Sequence, residues 1–206
     1  MSIVKLSNNG VKNATAFGSI SALGSMTFIK KLTASSSGTL DFVDGTSSVV
    51  LDNTYKEYIF TFNNMHPQTD EVDFLFQGNA AGGSGYNETI TSTQFNAYHA
   101  ESDSESGLGY QTTRDQAQGT SFQMLTNKVG NGNDEHTSGY LHLFNPSSTT
   151  FVKNFVAHLV DYHYQDYVSD NYTAGYFNTT SAIDEIQFKF SSGNIDAGDI
   201  CLYGIS

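Results

Sequence analysis

Arginine occurs once in the 206 residues, at Arg114, cysteine once, at Cys201, and tryptophan not at all. A single cysteine excludes an intrachain disulfide framework and a multi-cysteine zinc site. Its place in a terminal apolar stretch makes Cys201 a small core or interface residue. Lysine and arginine together number 9 against 21 acidic residues, a net charge of −12. Nucleic acid is thereby disfavoured, because phosphate contacts require basic side chains. No apolar run reaches the length of a membrane span, and the N-terminus lacks the hydrophobic core of a signal peptide. The sequence also lacks the catalytic motifs it might be searched for. The glycine-rich stretch Gly78–Gly85 has no Gly-Lys-Ser/Thr ending and leads into Tyr86-Asn-Glu-Thr, so it reads as a hairpin tip and not a phosphate cradle. In Gly82-Gly-Ser84-Gly-Tyr86 a tyrosine stands where a nucleophile elbow needs its second glycine. There is no His-Glu-x-x-His. The expectation is a protein that is not an enzyme and holds no cofactor or metal.

What the chain does have is 19 Gly, 12 Tyr and 15 Phe, with many Ser, Thr and Asn. Aromatic and β-branched residues suit half-buried pleated surfaces, and Gly, Asn and Asp suit the turns between them. Strands are predicted at 26–34, 39–43, 55–63, 72–77, 95–100, 121–125, 139–144, 151–164, 173–177, 184–190 and 199–203. Turn chemistry such as Ser35-Ser-Ser-Gly38, Asp44-Gly45 and Gly130-Asn-Gly-Asn133 separates them. Many short strands without a 3.6-residue period indicate an antiparallel sandwich or barrel. Residues 151–164 form the longest. Phe155, Ala157 and Leu159 point one way, Val156, Val160 and Tyr162 the other. Such a strand is covered on both sides, or its second face meets another subunit. Two long irregular stretches, 78–85 and 99–118, are expected to be functional or mobile loops.

Residues 1–25 form an extended N-terminal arm, and residues 26–206 the folded domain. The first 40 residues contain Lys5, Lys12, Lys30 and Lys31 and no acid, on an otherwise acidic chain. A basic arm can dock on an acidic surface, including a sister subunit. Lys5, Lys12, Phe17, Ile20 and Leu23 are its candidate partner-binding residues. The residues also leave open a solvated tail, or a strand covering one edge of the domain.

Several polar constellations invite chemistry. His99, Glu101, Asp103 and Glu105 alternate and offer oxygen ligands to a hard cation, but a solvated acidic loop explains them as well. Asp134, Glu135 and His136 form a similar group. Asp41, Asp44, Asp196 and Asp199 offer oxygens to a shared ion in a jelly roll whose first and last strands meet, but turn-making is the simpler role for most of them. His158, between Val156 and Val160, reads as a buried or interfacial histidine. Tyr86, Tyr98, Tyr110, Tyr167, Tyr172 and Tyr176 fall in or beside predicted loops. Of these, Tyr86, Tyr98, Tyr110, Tyr172 and Tyr176 are candidate ligand-binding residues. Tyrosine rings can stack on sugars or fill a protein interface, and the interface is the stronger reading.

Two blocks carry a resemblance. The C-terminal stretch Phe190-Ser-Ser-Gly-Asn-Ile-Asp-Ala-Gly-Asp-Ile-Cys-Leu-Tyr-Gly-Ile205 reads as a turn feeding a last strand. The earlier block runs Gly45-Thr-Ser-Ser-Val-Val-Leu51-Asp-Asn-Thr-Tyr55-Lys-Glu-Tyr58-Ile-Phe-Thr-Phe62, then Asn63-Asn-Met-His66-Pro67-Gln-Thr-Asp70. Both are similar to a domain that recurs in structural proteins of tailed bacteriophages, cyanophages among them. The resemblance implies a jelly-roll-like β-sandwich closed by a C-terminal hairpin. It implies a virion structural protein, decorating the head or belonging to a tail or fibre, held by its arm to other virion proteins and assembled as a homo-oligomer. The alternative is a receptor- or carbohydrate-binding module on the virion that takes a host surface glycan.

Overall fold

The computed structural model describes residues 26–206, and these form thirteen strands and no helix. In chain order the strands are β1 (Met26–Thr33), β2 (Leu40–Val43), β3 (Glu57–Pro67), β4 (Phe74–Ala80), β5 (Ile90–Ala100), β6 (Ser106–Tyr110) and β7 (Ala117–Gly119). There follow β8 (Gln123–Met124), β9 (Thr137–Phe144), β10 (Lys153–His163), β11 (Tyr167–Phe177), β12 (Ile183–Phe190) and β13 (Ile195–Ile205). Every pairing is antiparallel. The expected arm, with Lys5, Lys12, Phe17, Ile20 and Leu23, lies outside the described residues.

One sheet runs β1-β13-β3-β9-β10-β11-β5-β6, with β7 also paired to β5, and the other runs β2-β12-β4-β8. Within these, β1-β13-β3-β9 and β2-β12-β4-β8 make two facing four-stranded sheets between which the chain passes back and forth. That is the order of a jelly roll, as expected for the fold class. The remaining strands arrive as two insertions, β5 to β7 and β10 to β11. Both add to the β9 edge, so that the larger sheet continues as a wing, β10-β11-β5-β6.

Period-2 alternation sets the core. Ile186, Phe188 and Phe190 are buried on β12 while Glu185, Gln187 and Lys189 are only partly covered. Phe188 lies at the centre. Its ring centroid is 5.1 Å from Phe62, 5.3 Å from Phe60, 6.1 Å from Phe74, 6.2 Å from Phe42 and 6.3 Å from Phe76. These rings come from both sheets and account for the cohesion of the sandwich.

The two resembling blocks, far apart in the chain, become neighbours: β13 pairs with β3 through Ile200↔Phe62, Leu202↔Phe60 and Gly204↔Tyr58. Tyr58 is fully buried, and its hydroxyl donates to the Asp52 carbonyl at 2.9 Å. Gly204 lies directly beneath the Tyr55 ring, in space a Cβ would claim. Both blocks therefore contain residues the scaffold needs. One expectation fails. Phe190–Ile195 is not a hairpin, because β12 pairs with β2 and β4 while β13 pairs with β1 and β3. Ser191–Asn194 is instead a corner between sheets, for which the same turn residues serve equally well.

Two loop expectations hold only in part, since 81–85, 101–105 and 111–116 lie outside the strands while their neighbours do not. Gly78 belongs to β4 and is packed 3.0 Å from Phe177 and 3.1 Å from Ile183, measured from where a Cβ would stand. The stretch 99–118 contains β6 and most of β7, both on the edge of the wing.

Candidate interaction face

Residues of β10 alternate between buried Phe155, Ala157 and Leu159 and the outward Val156, His158 and Val160. Strand register then decides what His158 meets. It lies opposite Tyr140 on β9 and Tyr172 on β11, Tyr172 lies opposite Phe95 on β5, and Phe95 opposite Tyr110 on β6. Five consecutive strands thus set one ring each into a single row. Strands lie about 4.8 Å apart, so the row is about 20 Å long.

The three central rings use that spacing to stack. Phe95 and Tyr172 are 5.0 Å apart at an interplanar angle of 6°, and Tyr172 and His158 4.1 Å apart at 14°. Tyr140 meets His158 edge-on at 5.9 Å. Asp170, also outward on β11, takes the His158 Nε2 proton donor at 2.5 Å. Partial burial, and then the Asp170 carboxylate, push the Tyr172 phenol above its ordinary pKa. Tyr110 donates to Asp115 at 2.6 Å. Val156 and Val160 flank the row, both more than a third exposed, and Leu108 on β6 is 75% exposed. A shallow trough of about 180 Å³ runs between Thr93, Phe95, Tyr140, Val156, His158 and Tyr172. Apolar side chains exposed as one continuous patch mark an interaction surface more often than a solvated one.

Of the tyrosines singled out from the sequence, Tyr110, Tyr172 and Tyr176 share this outer face. Tyr98 projects to the inner side of β5, against Tyr167. Tyr86 lies elsewhere, 6.5 Å from Phe122, and burial with the carboxylates of Asp41 and Glu185 pushes its phenol up. Tyr98, Tyr172 and Tyr176 lie within β5 and β11, not in loops. Phe95 and Tyr140 escaped sequence reasoning. The signal that could have found them is their alternation phase, opposite to the buried residues of their strands.

The acidic constellations disperse. Glu101 accepts from the Tyr162 hydroxyl at 3.0 Å, Glu105 from the Tyr167 hydroxyl, and Asp103 lies 3.1 Å from His99 Nε2. Asp41 bonds Thr39 and Gln187, Asp44 the Leu51 amide, and Asp199 Lys31 and Thr33, while Asp196 lies 3.9 Å from His66. Among the described residues, no three His, Cys, Asp or Glu side chains are grouped to hold a metal ion. Compared with protein-family models, curated proteins and solved structures, the chain finds no match.

Proposed function

We propose that this chain is a non-enzymatic structural protein of a tailed-phage particle, a compact surface module of head, tail or fibre. Residues 1–25 attach it to other virion proteins, and the outer face of the wing joins it to further copies of itself. The resemblance of 51–70 and 190–205 supports the setting. The stacked row supports the mode of action, and it is the observation that carries the reading. Rings that stack on one another across strands have spent their faces. What they offer outward is ring edges and the Tyr172 hydroxyl along a shallow trough. A sugar needs an open ring face, whereas a protein interface accepts edges and is enriched in tyrosine and phenylalanine. The stacked Phe95, Tyr172 and His158 at the centre of this face therefore favour a protein partner over a glycan.

Sedimentation velocity on the full chain and on Tyr172→Asp tests the self-association. The expected result is a concentration-dependent oligomer that the variant reduces to monomer while its melting temperature changes little. A wild type that stays monomeric at high micromolar concentration overturns it. For the setting, immunodetection in purified particles should find the full chain and miss a chain lacking residues 1–25. Full incorporation of the truncated chain overturns the arm.

A further inference from the structure

Among the described residues β1 and β6 end the larger sheet, and β2 and β8 the smaller. Three of these four edges are blunted. On β1 the ladder to β13 is broken by a bulge between Phe28 and Lys30, and Lys30 and Lys31 follow. β2 has four residues and β8 two. Short strands, bulges and lysines are the usual means by which a sheet edge is kept from adding another strand. β6, Ser106-Gly-Leu-Gly-Tyr110, has no bulge against β5 and no charged residue, although the chain carries a net charge of −12. Its hydrogen-bond phase is set at its two ends. The Gln111 amide donates to the Gln94 carbonyl at 2.9 Å, and the Ala100 amide to the Glu105 carbonyl at 2.9 Å. Odd-numbered residues from Glu105 to Gln111 therefore turn their N–H and C=O groups towards β5, while Ser106, Leu108 and Tyr110 turn theirs away. These three residues are exposed, and their side chains share the outer face, Tyr110 beside Phe95 and Leu108 beside Ala97. The inner face of the strand is glycine. A Cβ at Gly107 would stand 2.8 Å from the Tyr98 ring, and at Gly109 nothing lies within 4 Å of that position.

We propose that β6 is a pairing edge for β6 of a second copy, antiparallel about a two-fold axis at Leu108. That register sets Leu108 opposite Leu108 and Ser106 opposite Tyr110, and each pair exchanges two hydrogen bonds. Every outward backbone group of the strand is then satisfied. An axis through Gly107 or Gly109 would instead bring together groups already bonded to β5. The pairing also sets no like charges against each other, because Glu105 falls opposite Gln111 and the residues between are neutral. The same patch serves both copies, as a two-fold contact requires. An axis normal to the sheet keeps both outer faces on one side, where the Leu108 side chains meet. The strand is five residues long, so the contact is well under the roughly 1,200 Å² of a stable interface and the edge alone pairs weakly. It is a second contact, separate from the outer face, and it sets two aromatic rows side by side so that a partner on that face is held by both.

Oxidative trapping of the full chain at high concentration tests the edge. Every chain carries Cys201→Ser, which removes the native thiol, and Tyr172→Asp, which keeps the outer faces apart, so that failure of the face contact does not bear on the result. In the proposed register the two Cα atoms of residue 108 are about 5.5 Å apart, within disulfide reach, and those of residue 106 roughly 13 Å. Leu108→Cys is expected to form a disulfide dimer about tenfold faster than Ser106→Cys, although both positions are exposed. Combining Ser106→Cys with Tyr110→Cys restores the fast rate, because these two residues face each other across the axis. Melting temperatures confirm that each variant folds. Equal rates for Leu108→Cys and Ser106→Cys mark chance collision and overturn the proposal. A Leu108→Cys chain that stays monomeric, or a slow combined variant, overturns it too.

Discussion

Asp161 offers a direct test of how the inner side of the wing is held together. It lies on β10, 2% exposed, with its side chain among Asn171, Arg114 and Asp73. Asn171 donates to one carboxyl oxygen at 2.6 Å, and the other has no partner. Burial is the dominant influence and pushes the carboxyl up to about 8, against the pull of the Asn171 bond and the Arg114 charge, from an ordinary 3.8. A raised carboxyl binds its proton more tightly in the folded than in the unfolded chain. Its contribution to stability is full below the unfolded value and is lost as pH rises through the folded one. The gap is about four units, and at about 1.4 kcal/mol per unit it amounts to roughly 5–6 kcal/mol. Total stabilities of domains are about 5–15 kcal/mol, so the effect is large enough to measure.

Asp161→Asn removes the titration and keeps an oxygen to accept from Asn171. Urea unfolding of wild type and variant should give similar stabilities near pH 4. The variant should then gain steadily, by several kcal/mol, as pH rises towards 8. His163 works in the opposite sense. Burial first, then Lys128 and Arg114, hold its pKa below the ordinary value, so its contribution is lost as pH falls. Because His163 is present in both proteins, the comparison at each pH isolates Asp161. Parallel stability curves over this range would refute the assignment of a buried, proton-holding carboxyl.

Phe188→Ala empties the place where five other phenylalanine rings converge and should cost about 3–5 kcal/mol in chemical denaturation. Lys153 is fully buried, with its ammonium donating to the Phe151 carbonyl at 2.9 Å and the Thr179 carbonyl at 3.0 Å. Lys153→Met keeps the aliphatic stem but leaves both carbonyls without this donor. A loss of about 1–3 kcal/mol is expected by thermal or urea unfolding, and an unchanged stability would show that water replaces the amine.

Much of the jelly roll was legible because its strands alternate in the simple way. β12 announces itself through Ile186, Phe188 and Phe190, and the two apolar faces of β10 correctly set Val156 and Val160 opposite the core. The wing was harder to read for a physical reason. Where an apolar core is replaced by buried amides, inward positions are occupied by Asn96, Ser169 and Asn171, so the contrast between inward and outward residues disappears. The first half of β11, Tyr-Val-Ser-Asp-Asn, consequently looked like loop, and β6, with Gly107 and Gly109, like linker. The interaction row was illegible for another reason. Phe95, Tyr110, Tyr140, His158 and Tyr172 are scattered along the chain, and only the register of five strands aligns them.

The division between scaffold and wing gives the residues of each a different meaning. The blocks 51–62 and 190–205 supply β3, the end of β12 and β13, and their distinctive residues are consumed in closing the jelly roll: Tyr58 on Asp52, Gly204 under Tyr55, Phe190 in the core. Changes there act on folding. The inserted strands are one layer thick, and on β5 the alternation sends Phe95 outward into the aromatic row while Asn96 and Tyr98 turn inward, towards Gln111, Arg114 and Tyr167. Neighbouring residues therefore belong to surfaces on opposite sides of a sheet, without shared contacts. Substitutions at Tyr172 and Gln111 should accordingly act independently, because energies add when sites share no partners. In urea unfolding, a variant carrying both should lose stability by the sum of the two single changes. Non-additive loss would mean that the layer itself moves, and that the wing responds as one unit to whatever occupies either face.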